Sequence, residues 1–333
     1  MTAIIFILII LLSNFLIFLF YKKLSKNINL IDLPDSFIKL HKYPTPLLGG
    51  FFIFFSLLIY FFTLLSFSEN FRVDIFASNK SLFNFFFLCS TFFFIGYLDD
   101  KFKISPNKKF LTFILILIAA VLLDKNLLID KLSFTFTEKE IFLENFSIYF
   151  TILCIMLFVN AFNLFDGVNC QAGLYSIFLL VVLYIAEINI YLILTFFIPL
   201  VFFLYLNSKG KIFLGNTGSY LLPVAFSQIF ILSYNQNYFK ADEVLFFLIF
   251  PGLDMFRLFI ERSFKMQNPF KGDHNHLHHL ILNRFNIFFT LTITVGFKAL
   301  LYSIYIYTEV EIIYFLIIIV FYYLFLYLLF KKK

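Results

Sequence analysis

The fold class this sequence predicts is an all-α integral membrane protein of about eleven transmembrane helices. Three observations predict it. Of 333 residues, 62% are hydrophobic and only 14% carry charge, against roughly 45–50% and 25% in soluble domains. The apolar residues fall into runs of about 20, the length that crosses a bilayer as a helix. Lysine and arginine collect in alternate connecting segments, as the positive-inside rule requires. The chain reads as one polytopic domain, residues 1–333, with no repeat, linker or low-complexity segment to divide it.

The expected spans are 3–21, 47–67, 82–98, 109–123, 146–164, 172–187, 189–206, 219–234, 243–262, 289–308 and 311–330. The first has no charge before it and Lys22-Lys23 after it. A cleaved secretory signal carries its positive charge first, so this run reads as an uncleaved span with its N-terminus outside. Alternation then puts the segments 22–46, 99–108, 165–171, 207–218, the end of the ninth span through 288, and the C-terminus in the cytosol. Those segments and the helix ends bordering them hold 19 of the 26 Lys and Arg residues. The outer segments hold six: Arg72, Lys80, Lys125, Lys131, Lys139 and Lys240. Lys298 is left inside a span. The net charge of +6 is thus explained by cytosolic loops facing anionic lipid and calls for no nucleic acid. Within the loop 124–145, "KLSFTFTEKEI" alternates as a short outer hairpin does. Cys89, Cys154 and Cys170 form no pairing framework. The 56 Phe, the absence of Trp and the preference for Lys over Arg read as base-composition bias.

Five polar constellations interrupt this apolar chain, and the expected topology puts all five on the cytosolic side. In "DLPDSFIKLHKYPTPLLGG" (32–50), prolines stiffen a loop that carries Lys39 and His41, and Gly49-Gly50 opens the second span. The bland reading is a basic juxtamembrane loop. In "GYLDDKFKISPNKK" (96–109), Asp99 and Asp100 end the third span with Lys103, Lys108 and Lys109 behind them. Adjacent carboxylates near a membrane are costly; a divalent cation would relieve them, and so would solvation and the lysines. In "NAFNLFDGVN" (160–169), Asn160, Asn163 and Asp166 at i, i+3, i+6 share one helix face. That stripe suits an oxygen-ligand cation site, a sugar-binding edge, or polar contacts between helices.

The fourth constellation is "KIFLGNTGSYLL" (211–222). Gly215 and Gly218 bracket Asn216-Thr217 ahead of Ser219. A glycine turn feeding a helix presents free N–H groups to an anion, and Thr217 or Ser219 serves equally as an N-cap. The fifth, "PGLDMFRLFIERSFKMQNPFKGDHNHLHH" (251–279), puts Asp254, Arg257 and Glu261 on one helical stripe. It then delivers Asp273, His274, His276, His278 and His279. Zinc is one reading of four histidines in six positions, but the HExxH pattern of zinc proteases is absent. Imidazoles beside Arg257, Arg262 and Lys271 also suit phosphate oxygens, and a bland polar loop is the third reading.

Taken in order, these motifs resemble the polyprenyl-phosphate N-acetylhexosamine-1-phosphate transferases (glycosyltransferase family 4). The resemblance runs from Asp32 to His279, and the ending His276, His278, His279 is similar to the GlcNAc-1-phosphate transferase-like branch. It implies an enzyme of a bacterial inner membrane with a cytosolic Mg²⁺ cleft, Mn²⁺ being an alternative ion. Its partners would be a UDP-N-acetylhexosamine and polyprenyl (undecaprenyl) phosphate. Sugar 1-phosphate would pass to the lipid phosphate with release of UMP, starting a cell-envelope glycan. A homodimer is an assembly this reading allows.

By the same resemblance Asp99 and Asp100 are the catalytic carboxylates, deprotonating the lipid phosphate or attacking the diphosphate. Asp166 binds the metal, with Asn216 as a second ligand. Lys39, His41, Lys103, Lys109, Asn160, Asn163, Gly215, Ser219, Arg257, Asp273, His276, His278 and His279 would hold substrate. Three positions depart from the pattern: Ile38 and His274 stand where Arg is common, and Asn216 where Asp is usual. A catalytically impaired binder of UDP-sugar or polyprenyl phosphate is therefore the alternative. A secondary transporter is the other, although its charges should gather at mid-membrane beside broken helices.

Overall fold

The computed structural model describes residues 2–34, 43–67, 71, 75–266, 275–308 and 310–330. Helices form on all eleven apolar runs. In chain order they are α1 (Thr2–Ile28), α2 (Gly49–Ser66), α3 (Asn79–Phe102), α4 (Pro106–Leu123), α5 (Ser147–Phe165), α6 (Gln171–Ile185), α7 (Ile190–Asn207), α8 (Gly215–Asn235) and α9 (Ala241–Phe264). A short α10 (Leu277–Leu282) follows. Then come α11 (Ile287–Tyr307), with a π-helical stretch at Thr292–Gly296, and α12 (Ile312–Phe330).

Among the described residues, eight of these helices are long and apolar enough to cross a membrane: α1, α2, α3, α4, α5, α7, α11 and α12. The expectation of about eleven spans is met to that extent. The other three runs are helical but differ in kind. Helix α6 has only 15 residues, and α9 carries Asp242, Glu243, Asp254, Arg257, Glu261 and Arg262. Helix α8 is the centre of the bundle. Every residue from Thr217 to Tyr234 in it is buried, so it meets protein on all sides and tolerates Ser227, Gln228 and Ser233 where a lipid-facing helix would not. Helix α1, by contrast, turns Ile4, Leu8, Leu12 and Leu16 outward, an apolar face suited to lipid.

Small residues let α8 sit so deep. A Cβ on Gly96 of α3 would lie 2.3 Å from the Asn216 carbonyl oxygen, and one on Gly50 of α2 would lie 2.5 Å from the Gly218 nitrogen. The glycines of "LLGG" and "FIGYLDD" are therefore close-approach positions, where backbone meets backbone. A ladder not evident in the sequence completes this end. Strands β1 (Ile31–Asp32) and β2 (Thr45–Pro46) pair antiparallel, and Leu47 bridges to Phe213 in parallel. The Gly49 and Gly50 N–H groups donate to the Phe213 and Leu214 carbonyls at 3.0 and 3.1 Å. The loop before α2 is thus stitched to the loop before α8. The hairpin read in "KLSFTFTEKEI" forms as β3 (Lys131–Phe134) and β4 (Thr137–Phe142).

Candidate active site

Helix α3 ends in two carboxylates with different surroundings. Asp99 is buried. Its Oδ2 accepts from Lys109 Nζ at 2.9 Å and from the Tyr220 hydroxyl at 2.7 Å, and its Oδ1 accepts from the Ile104 N–H at 2.9 Å. It is a closed ion pair that joins α3, α4 and α8. Lys109 is spent in that pair, while Lys103 is exposed, in the left-handed conformation that ends α3 (φ 51°).

Asp100 is half-buried and points the other way. Its two oxygens accept the N–H groups of Asn216 at 2.9 Å and Thr217 at 3.1 Å. These are orphan donors in the first turn of α8. The residue before that turn, Leu214, offers no side-chain cap. The expected capping by Thr217 or Ser219 is therefore replaced by a carboxylate from another helix. The anion site expected at this glycine turn is filled by Asp100, a placement worth about 0.3–1 kcal/mol to an exposed charge and up to about 2 when partly buried. Gly215 makes room for it: φ there is +73°, and a Cβ would stand 2.8 Å from Asp100 Oδ2.

The expected stripe Asn160, Asn163, Asp166 splits. The Asn160 amide donates to the Met156 carbonyl of its own helix at 2.8 Å. Asn163 crosses to α8, where its Nδ2 donates to Asn216 Oδ1 at 3.2 Å and to Ser219 Oγ at 2.6 Å. Helix α5 stops at Phe165, and Asp166 is its C-cap with ψ 45°. The Asp166 carboxyl pKa is pushed well above the usual carboxylate range, by burial first and then by the charge of Asp100.

The histidine segment docks on the same corner. His276 and His278 are buried, and their rings stack at 5.4 Å. The ring of His279 lies 4.3 Å from that of His278. A Cβ on Gly167 would stand 2.2 Å from His278 Nε2, so "DG" and "HxHH" touch through a position that only glycine fits. That nitrogen has no hydrogen-bond partner among the described residues. Burial first, and then the neighbouring His279, hold the His278 pKa well below its ordinary value. His278 is therefore neutral near pH 7.

Asp254 of α9 fixes His276, its Oδ2 lying 2.7 Å from Nδ1. The same carboxylate accepts the Leu277 N–H at 3.2 Å and the Tyr323 hydroxyl at 2.7 Å. Arg257 is spent within this network. It donates to Asp254 at 2.9 Å, to Tyr323 at 2.8 Å, to Glu261 at 3.2 Å and to the Asn275 carbonyl at 2.6 Å. It binds the histidine segment to α9 and α12.

The structure thus gathers Asp99, Asp100, Asn163, Asp166, Asn216 and Ser219 on one side of the corner and His276, His278 and His279 on the other. Lys39, His41 and Asp273 lie outside the described residues. Tyr220 and Tyr323, which complete the two networks, were not singled out in the sequence. Nothing marks them among 19 Tyr and 56 Phe. Asp254 was legible through its spacing to Arg257.

For a dication the donor set is oxygen: two carboxylates that oppose each other's charge, and one amide. Among the described residues no group of three or more His, Cys, Asp or Glu is placed to hold a metal. The arrangement suits Mg²⁺, which takes one or two carboxylates and fills its shell with water and substrate phosphate. It does not suit a closed structural zinc site.

The sequence model described as glycosyl transferase family 4 matches residues 82–234. A protein of Thermotoga maritima named undecaprenyl-phosphate alpha-N-acetylglucosaminyl 1-phosphate transferase is 30% identical over 278 residues, 83% of this chain and 81% of the relative. A protein of the same name from Escherichia coli O157:H7 is 27% identical over 290 residues, 80% of this chain and 73% of the relative. Another from Yersinia pestis is 27% identical over 284 residues, 78% and 72%.

Proposed function

The chain belongs to glycosyl transferase family 4, and from that premise and the corner described above we propose that it transfers N-acetylhexosamine 1-phosphate from a UDP-sugar to polyprenyl phosphate. The names of its relatives favour UDP-GlcNAc and undecaprenyl phosphate. An oxygen of the lipid phosphate attacks the sugar-bearing phosphorus of the UDP-sugar. The bond to the uridylyl oxygen breaks and UMP leaves. The product is a polyprenyl-diphosphate-linked sugar.

The observation that carries this reading is the pair Asp100 and Asp166. Two carboxylates face a shared charge problem at the end of a membrane bundle, beside a polar edge of Asn163, Asn216 and Ser219. Asp100 and Asp166 would hold Mg²⁺, which would neutralise diphosphate charge; phosphoryl transfer depends chiefly on positioning and such neutralisation. Asn216 would border the ion through an amide oxygen that already accepts from Asn163. Asp99, with its oxygens taken up by the Lys109 ammonium, the Tyr220 hydroxyl and the Ile104 N–H, acts as a positioning residue and Asp100 as the charged group at the reaction. His276 and His279 present ring nitrogens to the sugar diphosphate. The 19-to-6 partition of basic residues supports a cytosolic site, with the N-terminus outside.

The test is UMP release by purified protein given undecaprenyl phosphate, Mg²⁺ and a panel of UDP-sugars. Release with a UDP-N-acetylhexosamine is expected. Binding of UDP-sugar without any UMP release would make the chain a binder instead.

A further inference from the structure

Lys298 lies in α11, 1% exposed, and the transfer reaction described above makes no use of it. Its Nζ donates to the Phe247 carbonyl and, at 3.4 Å, to the Tyr175 hydroxyl. It also stands 4.8 Å from the centre of the Tyr175 ring. The accepting carbonyl is a particular one. Residue 251 is proline, so the helical donor four residues beyond Phe247 does not exist. The Tyr175 hydroxyl donates to the same oxygen at 2.6 Å. A carbonyl oxygen has two lone pairs, and here one donor comes from α6 and one from α11. Three helices are pinned at the point where proline opens α9.

Both sides of the pin lead to the active corner. On α9, Asp254 comes three residues after Pro251, with Arg257 one turn further. Together they hold the histidine segment. On the other side, α6 begins just after the Asp166–Gly167 corner. The Phe165 ring, at the end of α5, meets Tyr175 at 5.4 Å, Phe250 at 6.1 Å and His278 at 6.3 Å. We propose that Lys298 and Tyr175 are positioning residues for the transfer reaction: by occupying the Phe247 carbonyl they fix the course of α9 beyond Pro251 and so seat His278 against Gly167. A lysine in a membrane span is costly, and this one has a task that an apolar residue cannot perform. The proposal rests on reading that corner as the active site.

The experiment combines a distance with a rate. Spin labels on Ser208→Cys and Ser263→Cys, with Cys89, Cys154 and Cys170 replaced by alanine, report the separation of the α7 end from the tail of α9. Both serines are exposed, and Asn207 accepts the Cys170 N–H at 2.5 Å, tying the first label to the corner. Lys298→Met should shift or broaden the distance distribution. It should also lower kcat for UMP release by about tenfold to a hundredfold, as misplacement of a site by about an ångström does. Lys298→Gln, which keeps a donor, should recover part of both. Pro251→Ala supplies its own N–H to the carbonyl, so Lys298→Met should cost less in that background. If Lys298→Met does not fold, Tyr175→Phe removes a single hydroxyl and should shift both readouts the same way. Unchanged distances, whatever the rate, would overturn the proposal. The distance needs no substrate, so an inactive wild type would defeat the assigned function and leave this test standing.

Discussion

His278 and Gly167 meet where no side chain fits, the imidazole Nε2 lying 2.2 Å from the position of a Cβ at residue 167. Through this contact the Asp166–Gly167 corner at the end of α5 meets the histidine segment. Gly167→Ala must displace the ring or the corner, and overpacking of this kind costs about 1–3 kcal/mol. The expected result is a folded protein whose kcat/KM for UMP release falls at least about tenfold. Full activity in Gly167→Ala would separate the two motifs.

Asp99 and Asp100 should fail in different ways. Asp100→Asn and Asp166→Asn would remove charge at the proposed site, and turnover should drop by about a hundredfold or more; the melting temperature should hold for Asp166→Asn and fall only slightly for Asp100→Asn, which loses one of the two oxygens that accept α8 N–H groups. Asp99→Asn leaves Lys109 without its carboxylate, so the melting temperature should fall together with activity. Because a buried ion pair is costly mainly when half of it is removed, Asp99→Asn with Lys109→Met should regain stability over Asp99→Asn alone. Equal melting temperatures for the Asp99 and Asp100 variants would contradict this division.

Asn216→Asp tests whether the residue 216 amide borders the proposed metal site. A carboxylate at that position can still accept from Asn163 and adds one negative charge near Asp100 and Asp166. A charge a few ångströms from the ion is worth on the order of 1–4 kcal/mol. The Mg²⁺ concentration for half-maximal UMP release should therefore fall. Superimposable Mg²⁺ titrations would remove residue 216 from the ion's surroundings.

The pH dependence of folding should carry the mark of His278. Its folded pKa is held well below the ordinary value near 6.5 by burial and by His279. Below pH ~6.5 the unfolded chain takes up a proton that the folded chain refuses. Stability from this group is complete above that pH and is lost as pH falls through it, with a limiting slope of about 1.4 kcal/mol per pH unit. His278→Gln should flatten that part of the stability curve measured between about pH 5 and 7, the range that brackets the unfolded-state value of ~6.5. An identical slope in the variant would show that other groups carry it.

The side of the membrane can be read with single cysteines in a background lacking the native three. Ser263→Cys should resist an impermeant thiol reagent in intact cells, and Asn237→Cys should react. Labelling of the first from outside would invert the orientation.

The sequence by itself determined where the apolar helices lie and the order in which the polar motifs follow one another. Apolar runs of bilayer length and the uneven placement of 26 basic residues are local quantities, set by transfer of side chains into lipid. The motifs around Asp99, Asp166, Asn216 and His276 are contiguous strings and could be matched as such. Only the tertiary structure decided what each group does with its hydrogen bonds. Asp99 and Asp100 are neighbours in sequence, yet the helix turns them about 100° apart, one toward Lys109 and Tyr220 and the other onto the first turn of α8. Arg257 donates to Asp254, Tyr323, Glu261 and Asn275, partners of which its sequence neighbourhood showed only Asp254 and Glu261. Tyr323 reaches Asp254 across 69 positions of sequence, and Lys298 reaches the Phe247 carbonyl across 51. Such pairings depend on the rotation and depth at which helices pack. A composition this uniform in phenylalanine and tyrosine leaves no periodic signal of either, so close glycine contacts and buried hydrogen bonds choose the register once the bundle has formed.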